Sequence, residues 1–146
     1  MKSYISGSIK GGREKEKEYY ELIEFIKQYG EVLTEHIGND ITDINNEIKY
    51  STKEDEHVYI RDTKWIDMCD VLIAEVSIPS LGVGYEIAYA ESKGKHVICL
   101  YNIDSEKSLS YMISGNIKNK VIIYKTLDKV KKEVSELLFN KKCENM

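Results

Sequence analysis

Five short apolar runs, separated by stretches of helical pattern, restrict the fold of this chain more than any other feature. They are Lys2–Ser6, Glu31–Thr34, Val71–Val76, His96–Tyr101 and Val121–Tyr124. Between the first two, Tyr19, Leu22, Ile23 and Ile26 recur at helical spacing, so a helix is expected over Glu14–Tyr29, with Gly30 ending it. Ser51 and Glu54 have capping-box spacing and open a helix from near Thr52 to about Cys69. A third helix follows Pro79 and runs to about Lys93, where Gly94 is a natural stop. Thr126 caps a last amphipathic helix carrying Val130, Val134, Leu137 and Leu138. Residues 37–50 are polar and read as an irregular excursion, and residues 102–119 as a longer connection. Apolar strands alternating with helices indicate an α/β fold around a parallel sheet. For five strands the simplest arrangement is the flavodoxin-like order 2-1-3-4-5.

The chain has 146 residues, enough for one domain with its own core. The domain is expected over residues 1–140, with 141–146 as a frayed tail. A net charge of -4 gives no footprint for a nucleic-acid polymer or an anionic membrane, although one local pocket can still take a single nucleotide. The three cysteines have no metal or redox spacing, and Cys69 and Cys99 lie in apolar surroundings as small core residues. The sequence enters a strand almost at once, shows no leader pattern and has no run of membrane-spanning length, so a cytoplasmic protein is expected.

In the 2-1-3-4-5 order, ligands bind at the carboxyl ends of strands one and three, where strand order reverses. Two unusual stretches meet there. The first is the glycine-rich loop Gly7-Ser8-Ile9-Lys10-Gly11-Gly12-Arg13, between a strand and a helix. Its backbone N–H groups and the helix N-terminus suit an anion, with Lys10, Arg13 and the hydroxyls of Ser6 and Ser8 assisting. It is neither a dinucleotide fingerprint nor a Walker loop, and a tight turn without a ligand is the alternative. The second stretch runs from Pro79 to Ala90. Glu86 is the only charged residue from Leu81 to Ala90, and a carboxylate among such neighbours is not there for solubility. It either does chemistry or is a structural carboxylate satisfied by a tyrosine or a backbone N–H. Ser80 caps the helix and can also donate its hydroxyl to the same anion.

Asp62 is the second carboxylate of interest. On a helix it shares a stripe with Val58, Trp65, Ile66 and Cys69, a face a surface aspartate would avoid; pairing with Arg61 or a hydroxyl is the structural alternative. Two carboxylates at one pocket are the usual equipment for cleaving a glycosidic bond. His36 ends strand two on the same rim, where it touches a ligand or serves as a structural residue. His36, His57 and His96 share no ligand spacing, and neither a nucleophile elbow nor an activated cysteine is present, so no metal or cofactor is expected.

Five segments then occur in order: Tyr4-Ile-Ser-Gly-Ser-Ile-Lys-Gly-Gly-Arg-Glu14, Gly30-Glu-Val-Leu-Thr-Glu-His36, Asp62-Thr-Lys-Trp65, Ala74-Glu-Val-Ser-Ile-Pro-Ser-Leu-Gly-Val-Gly-Tyr-Glu86 and Ser110-Tyr-Met-Ile-Ser-Gly115. Together they resemble the 2'-deoxynucleoside 5'-monophosphate N-glycosidases, relatives of the nucleoside 2-deoxyribosyltransferases. The resemblance spans roughly the first four-fifths of the chain. It implies a flavodoxin-like Rossmann fold, a homodimer, and hydrolysis of a deoxynucleoside monophosphate to free base and 2-deoxyribose 5-phosphate. By position Glu86 matches the nucleophile at C1', Asp62 the acid/base, and Tyr4 the tyrosine beside the sugar that favours a 2'-deoxy substrate. The glycine-rich loop with Ser80 and Gly82 matches the phosphate site, and His36 falls among the substrate-binding positions. Ser110 matches a serine reaching the phosphate from the partner subunit, with Met112 also among the substrate-binding positions. Lys10 departs from the arginine of relatives, which removes a bidentate grip on phosphate. Two other readings share these residues: a transferase moving deoxyribose between bases, and a nucleotide-binding module without catalysis.

Overall fold

A computed structural model describes residues 1–7, 13–34 and 54–144, the side chains of 13–15, 54–55 and 141–144 excepted. Ser8, Ile9, Lys10, Gly11, Gly12 and His36 therefore lie outside the described residues, as do the 37–50 excursion and the expected helix start at Ser51 and Thr52. The elements are β1 (Lys2–Gly7), α1 (Arg13–Lys27), β2 (Glu31–Val32), α2 (Glu54–Met68), β3 (Val71–Glu75), α3 (Leu81–Ser92), β4 (His96–Asn102), α4 (Tyr111–Ser114), β5 (Lys120–Tyr124) and α5 (Leu127–Glu144). The helical backbone of α5 thus continues into the segment 141–146 expected as a tail.

All strand pairs are parallel, in the expected order β2-β1-β3-β4-β5. The strands are apolar on both faces because helices cover both. On one face Ile5, Ile73, Leu100 and Ile122 pack with Leu22, Ile26, Val130 and Val134 of α1 and α5. On the other, Tyr4, Leu72, Ala74 and Cys99 pack with Ile66, Val83, Ile87 and Ala90 of α2 and α3. Each fully buried aliphatic chain contributes about 1.5–3 kcal/mol. Cys69 and Cys99 are buried, as expected, neither of them in a disulfide, and burial pushes the Cys99 thiol up to about 12.

Several boundaries differ from the sequence reading. β2 is shorter than Glu31–Thr34 because Thr34 turns its hydroxyl, not its backbone, to β1: the Ile5 N–H donates to Thr34 Oγ1 at 3.0 Å. α1 stops at Lys27, and Gln28, Tyr29 and Gly30 close it with turns onto the carbonyls of Phe25, Ile26 and Lys27. The 102–119 connection contains the short helix α4, capped by Ser110, whose Oγ accepts from Met112 N at 3.3 Å. The stop at Gly94 is as expected, with φ of 69°, a conformation that favours glycine.

Candidate active site

The carboxyl ends of β1 and β3 lie side by side. At Gly7 they approach so closely that a Cβ would sit 3.1 Å from the Cβ of Glu75. This glycine lets the two strand ends lie in contact. Beside it, α3 starts at Ser80, whose Oγ accepts from Val83 N at 3.4 Å, the capping role expected of it.

Glu86, in the second turn of α3, points back over the end of β1. Alternation along β1 puts Tyr4 and Ser6 on one face, and both hydroxyls meet this carboxylate. Tyr4 Oη donates to Glu86 Oε1 at 3.1 Å, and Ser6 Oγ donates to Oε2. Tyr4 and Ser6 are buried and Glu86 is half-buried. Burial raises the Glu86 pKa, as does the nearby Asp62 charge, while the hydrogen bonds from Ser6 and Tyr4 and the Arg61 charge oppose the rise. Burial, then Glu86 and Asp62, hold Tyr4 far above the ordinary phenol range, so it stays a neutral donor. The structural alternative for Glu86, a tyrosine partner, is realised, and the same carboxylate also faces open space.

That space is a cleft of about 690 Å³ lined by Val58, Tyr59, Asp62, Thr63, Ile66, Gly82, Tyr85 and Glu86. Asp62 reaches it from α2. Its Oδ1 accepts from Arg61 Nε at 2.9 Å, and the Arg61 guanidinium lies over the Trp65 ring at 5.1 Å from its centroid. Two carboxylates therefore share one cleft. One is held by neutral hydroxyls and the other by a cation, so the site can offer a nucleophile and a proton-handling group.

The structure brings Tyr4, Asp62, Gly82 and Glu86 together. Gly7 sits at the adjoining strand end, and the backbone of Arg13 opens α1 on the same edge. Ser80, Ser110 and Met112 line a different groove, of about 470 Å³, on the other side of the α3 N-terminus. Within one chain they do not meet the Glu86 cleft. Ser6 was expected to aid an anion, but its hydroxyl is used on Glu86 instead. The period-two relation to Tyr4 was the available signal. Sequence reasoning also missed the ring pair Tyr59–Tyr85, which joins two helices far apart in the chain. A smaller cavity of about 220 Å³ on the α1/α5 side is lined in part by Glu75, whose carboxylate accepts from Tyr124 Oη and Ser77 N. Among the described residues no group of three or more His, Cys, Asp or Glu side chains is placed to hold a metal.

A parallel sheet of this order, with its ligand-binding crevice at the switch point beside β1 and β3, defines the flavodoxin-like class of doubly wound α/β folds. Within that class, residues 3–140 match the nucleoside 2-deoxyribosyltransferase family, and the chain belongs to it. A Syntrophotalea carbinolica protein, provisionally named 2'-deoxynucleoside 5'-phosphate N-hydrolase 1, is 40% identical over 130 residues, covering 89% of each chain. The 5-hydroxymethyl-dUMP N-hydrolase of Esox lucius is 37% identical over 139 residues, 94% of this chain and 93% of its own. Among solved structures, the Clostridium botulinum CMP N-glycosidase BcmB superposes with a TM-score of 0.64 at 21% identity, covering 92% of this chain and 99% of its own, a likeness of fold.

Proposed function

We propose that this chain hydrolyses the N-glycosidic bond of 2'-deoxynucleoside 5'-monophosphates, giving free base and 2-deoxyribose 5-phosphate. One observation carries the reading: Glu86 is half-buried, both its oxygens are held by hydroxyls of β1, and it faces a cleft shared with Asp62. Ionised Glu86 attacks C1' as the bond to the base breaks, and the pair of electrons leaves with the base, which takes a proton from Asp62. Asp62 then removes a proton from water, which attacks C1' and releases Glu86 as a carboxylate. Tyr4, fixed against Glu86, sits beside the sugar and favours the 2'-deoxy form. The loop from Gly7 to Arg13, the N-termini of α1 and α3, Ser80 and Gly82 supply the phosphate site.

The working unit in this reading is a homodimer in which Ser110 reaches the partner's phosphate. Its support is an apolar surface around the Ser80–Ser110 groove, where Leu81, Tyr111 and Met112 are exposed by 97%, 91% and 85%. Patches of this kind on a soluble domain mark interaction surfaces. Cys69 and Cys99, buried and outside any disulfide, suit a cytoplasmic setting.

The test is chromatographic detection of free base from deoxynucleoside monophosphates, matching nucleosides and ribonucleotides. Release from the deoxy monophosphates, without an acceptor base, is expected. Reaction of nucleosides only when an acceptor base is present would replace hydrolysis with transfer, and no reaction at all would contradict catalysis.

A further inference from the structure

Tyr59 and Tyr85 stand at the mouth of the Asp62–Glu86 cleft and belong to neither hydrophobic core. Tyr59 precedes Asp62 by one turn of α2, and Tyr85 immediately precedes Glu86 in α3. Their centroids are 6.2 Å apart at an interplanar angle of 66°, an edge-to-face pair bridging the two helices. The rings are 53% and 55% exposed, so much of their apolar surface faces water. An edge-to-face pair leaves at least one whole face of each ring open.

Among the described residues, the rest of the cleft lining offers little to the hydrogen-bonding edge of a base. Val58, Ile66 and Gly82 are apolar. The Thr63 hydroxyl donates to its own helix, at 2.7 Å from the Tyr59 carbonyl and 3.3 Å from that of Ile60. Arg61 is committed to Asp62 and Trp65. Apart from the two carboxylates and the two phenols, no described residue lining this cleft presents a free amide, guanidinium or hydroxyl to a base edge. What the described lining presents to a base is the face of a ring.

We propose that Tyr59, supported by Tyr85, is the specificity-determining residue for the base, which stacks on the Tyr59 ring and is sorted by the area of its face and not by its hydrogen-bond pattern. This rests on the deoxynucleotide reading of the site. Stacking is tolerant of base identity, because every base has a π-face. Purine monophosphates should therefore bind more tightly than pyrimidine ones, and substituents at the pyrimidine 5-position should be accepted.

The test uses Glu86→Gln to measure binding without turnover. Calorimetric affinities are compared for purine and pyrimidine deoxynucleoside monophosphates and for 2-deoxyribose 5-phosphate, with Tyr59 intact and as Tyr59→Ala or Tyr59→Phe. Tyr59→Ala should weaken the nucleotides on the order of tenfold, purines most, while the sugar phosphate binds as before. Tyr59→Phe should retain the affinity. In the catalytically intact background the loss should appear in KM and not in kcat. A thermal melt confirms that each variant is folded. Equal weakening of nucleotides and sugar phosphate would make Tyr59 a support for α2 and overturn the proposal, as would unchanged affinities throughout or the absence of any base-dependent binding. Binding that depends on Tyr59 in a chain that releases no base would instead sink hydrolysis while leaving the stacking role standing.

Discussion

At the scale of single residues, Glu86 is a compromise between reactivity and stability. Burial raises its pKa, and Ser6 and Tyr4 pull it back toward the ionised form. Ser6→Ala removes one of these opposing hydrogen bonds, so the Glu86 pKa should rise further. The acidic limb of the pH–rate profile should move to higher pH, with the loss in kcat growing as pH falls along that limb, since a hydrogen bond to a charged group contributes about 1.5–3 kcal/mol. A profile indistinguishable from the unaltered chain would show that Ser6 does not tune Glu86. The same shift has a stability consequence of defined sign. A carboxyl whose folded pKa lies above its unfolded value binds more protons when folded, so stability falls as pH rises from the unfolded pKa through the folded one. Glu86→Gln should therefore raise Tm at neutral pH, and the gain should vanish below the unfolded carboxyl pKa. Thermal melts across pH check this, and an unchanged or lowered Tm at neutral pH would contradict it. Glu86 and Asp62 were legible in the sequence because each sits where a solvated carboxylate would not. The Ser6–Glu86 contact was not, because it joins a strand and a helix that only the fold brings together.

At the scale of elements, caps and glycines wrote most boundaries into the sequence: Ser80 opens α3 and Gly94 closes it. Where a tertiary contact sets the boundary, local pattern fails. Thr34 ends the apolar run Glu31–Thr34, yet its side chain, not its backbone, meets β1. α4 is too short for a periodic signal and is tethered from outside: the amide groups of Asn116 and Asn119 both donate to Glu91 Oε1 of α3. Gly30 shows the strictest local demand. Its φ is 154°, and a Cβ there would lie 2.0 Å from the Met1 carbonyl oxygen, beside the hydrogen bond from Glu31 N to that oxygen at 3.0 Å. Gly30→Ala should cost about 1–3 kcal/mol by displacing the start of β1 from β2. Chemical denaturation measures this, and a loss near zero would show that the β1–β2 edge adapts.

At the scale of the whole molecule, the α/β alternation made both the strand order and the switch-point location legible, while the relation between the two grooves was not. Ser110 and Met112 line a groove across the α3 N-terminus from the Glu86 cleft, and in the dimer reading they serve the partner's site. The dimer reading makes a complementation prediction. Ser110→Ala alone should weaken the substrate through its phosphate and Glu86→Gln alone should be inactive. Mixing them should form heterodimers with one intact site that regain the unaltered KM at up to half the sites, and a mixture showing only the Ser110→Ala KM would place Ser110 outside the partner's site. The central claim, that Glu86 is the nucleophile of a deoxynucleotide N-glycosidase, is tested most directly by single-turnover base release from one deoxynucleoside monophosphate, with the unaltered chain beside Glu86→Gln. Release by the unaltered chain is expected, with a loss on the order of a thousandfold or more in the variant. Release by Glu86→Gln within about tenfold of the unaltered rate would contradict it.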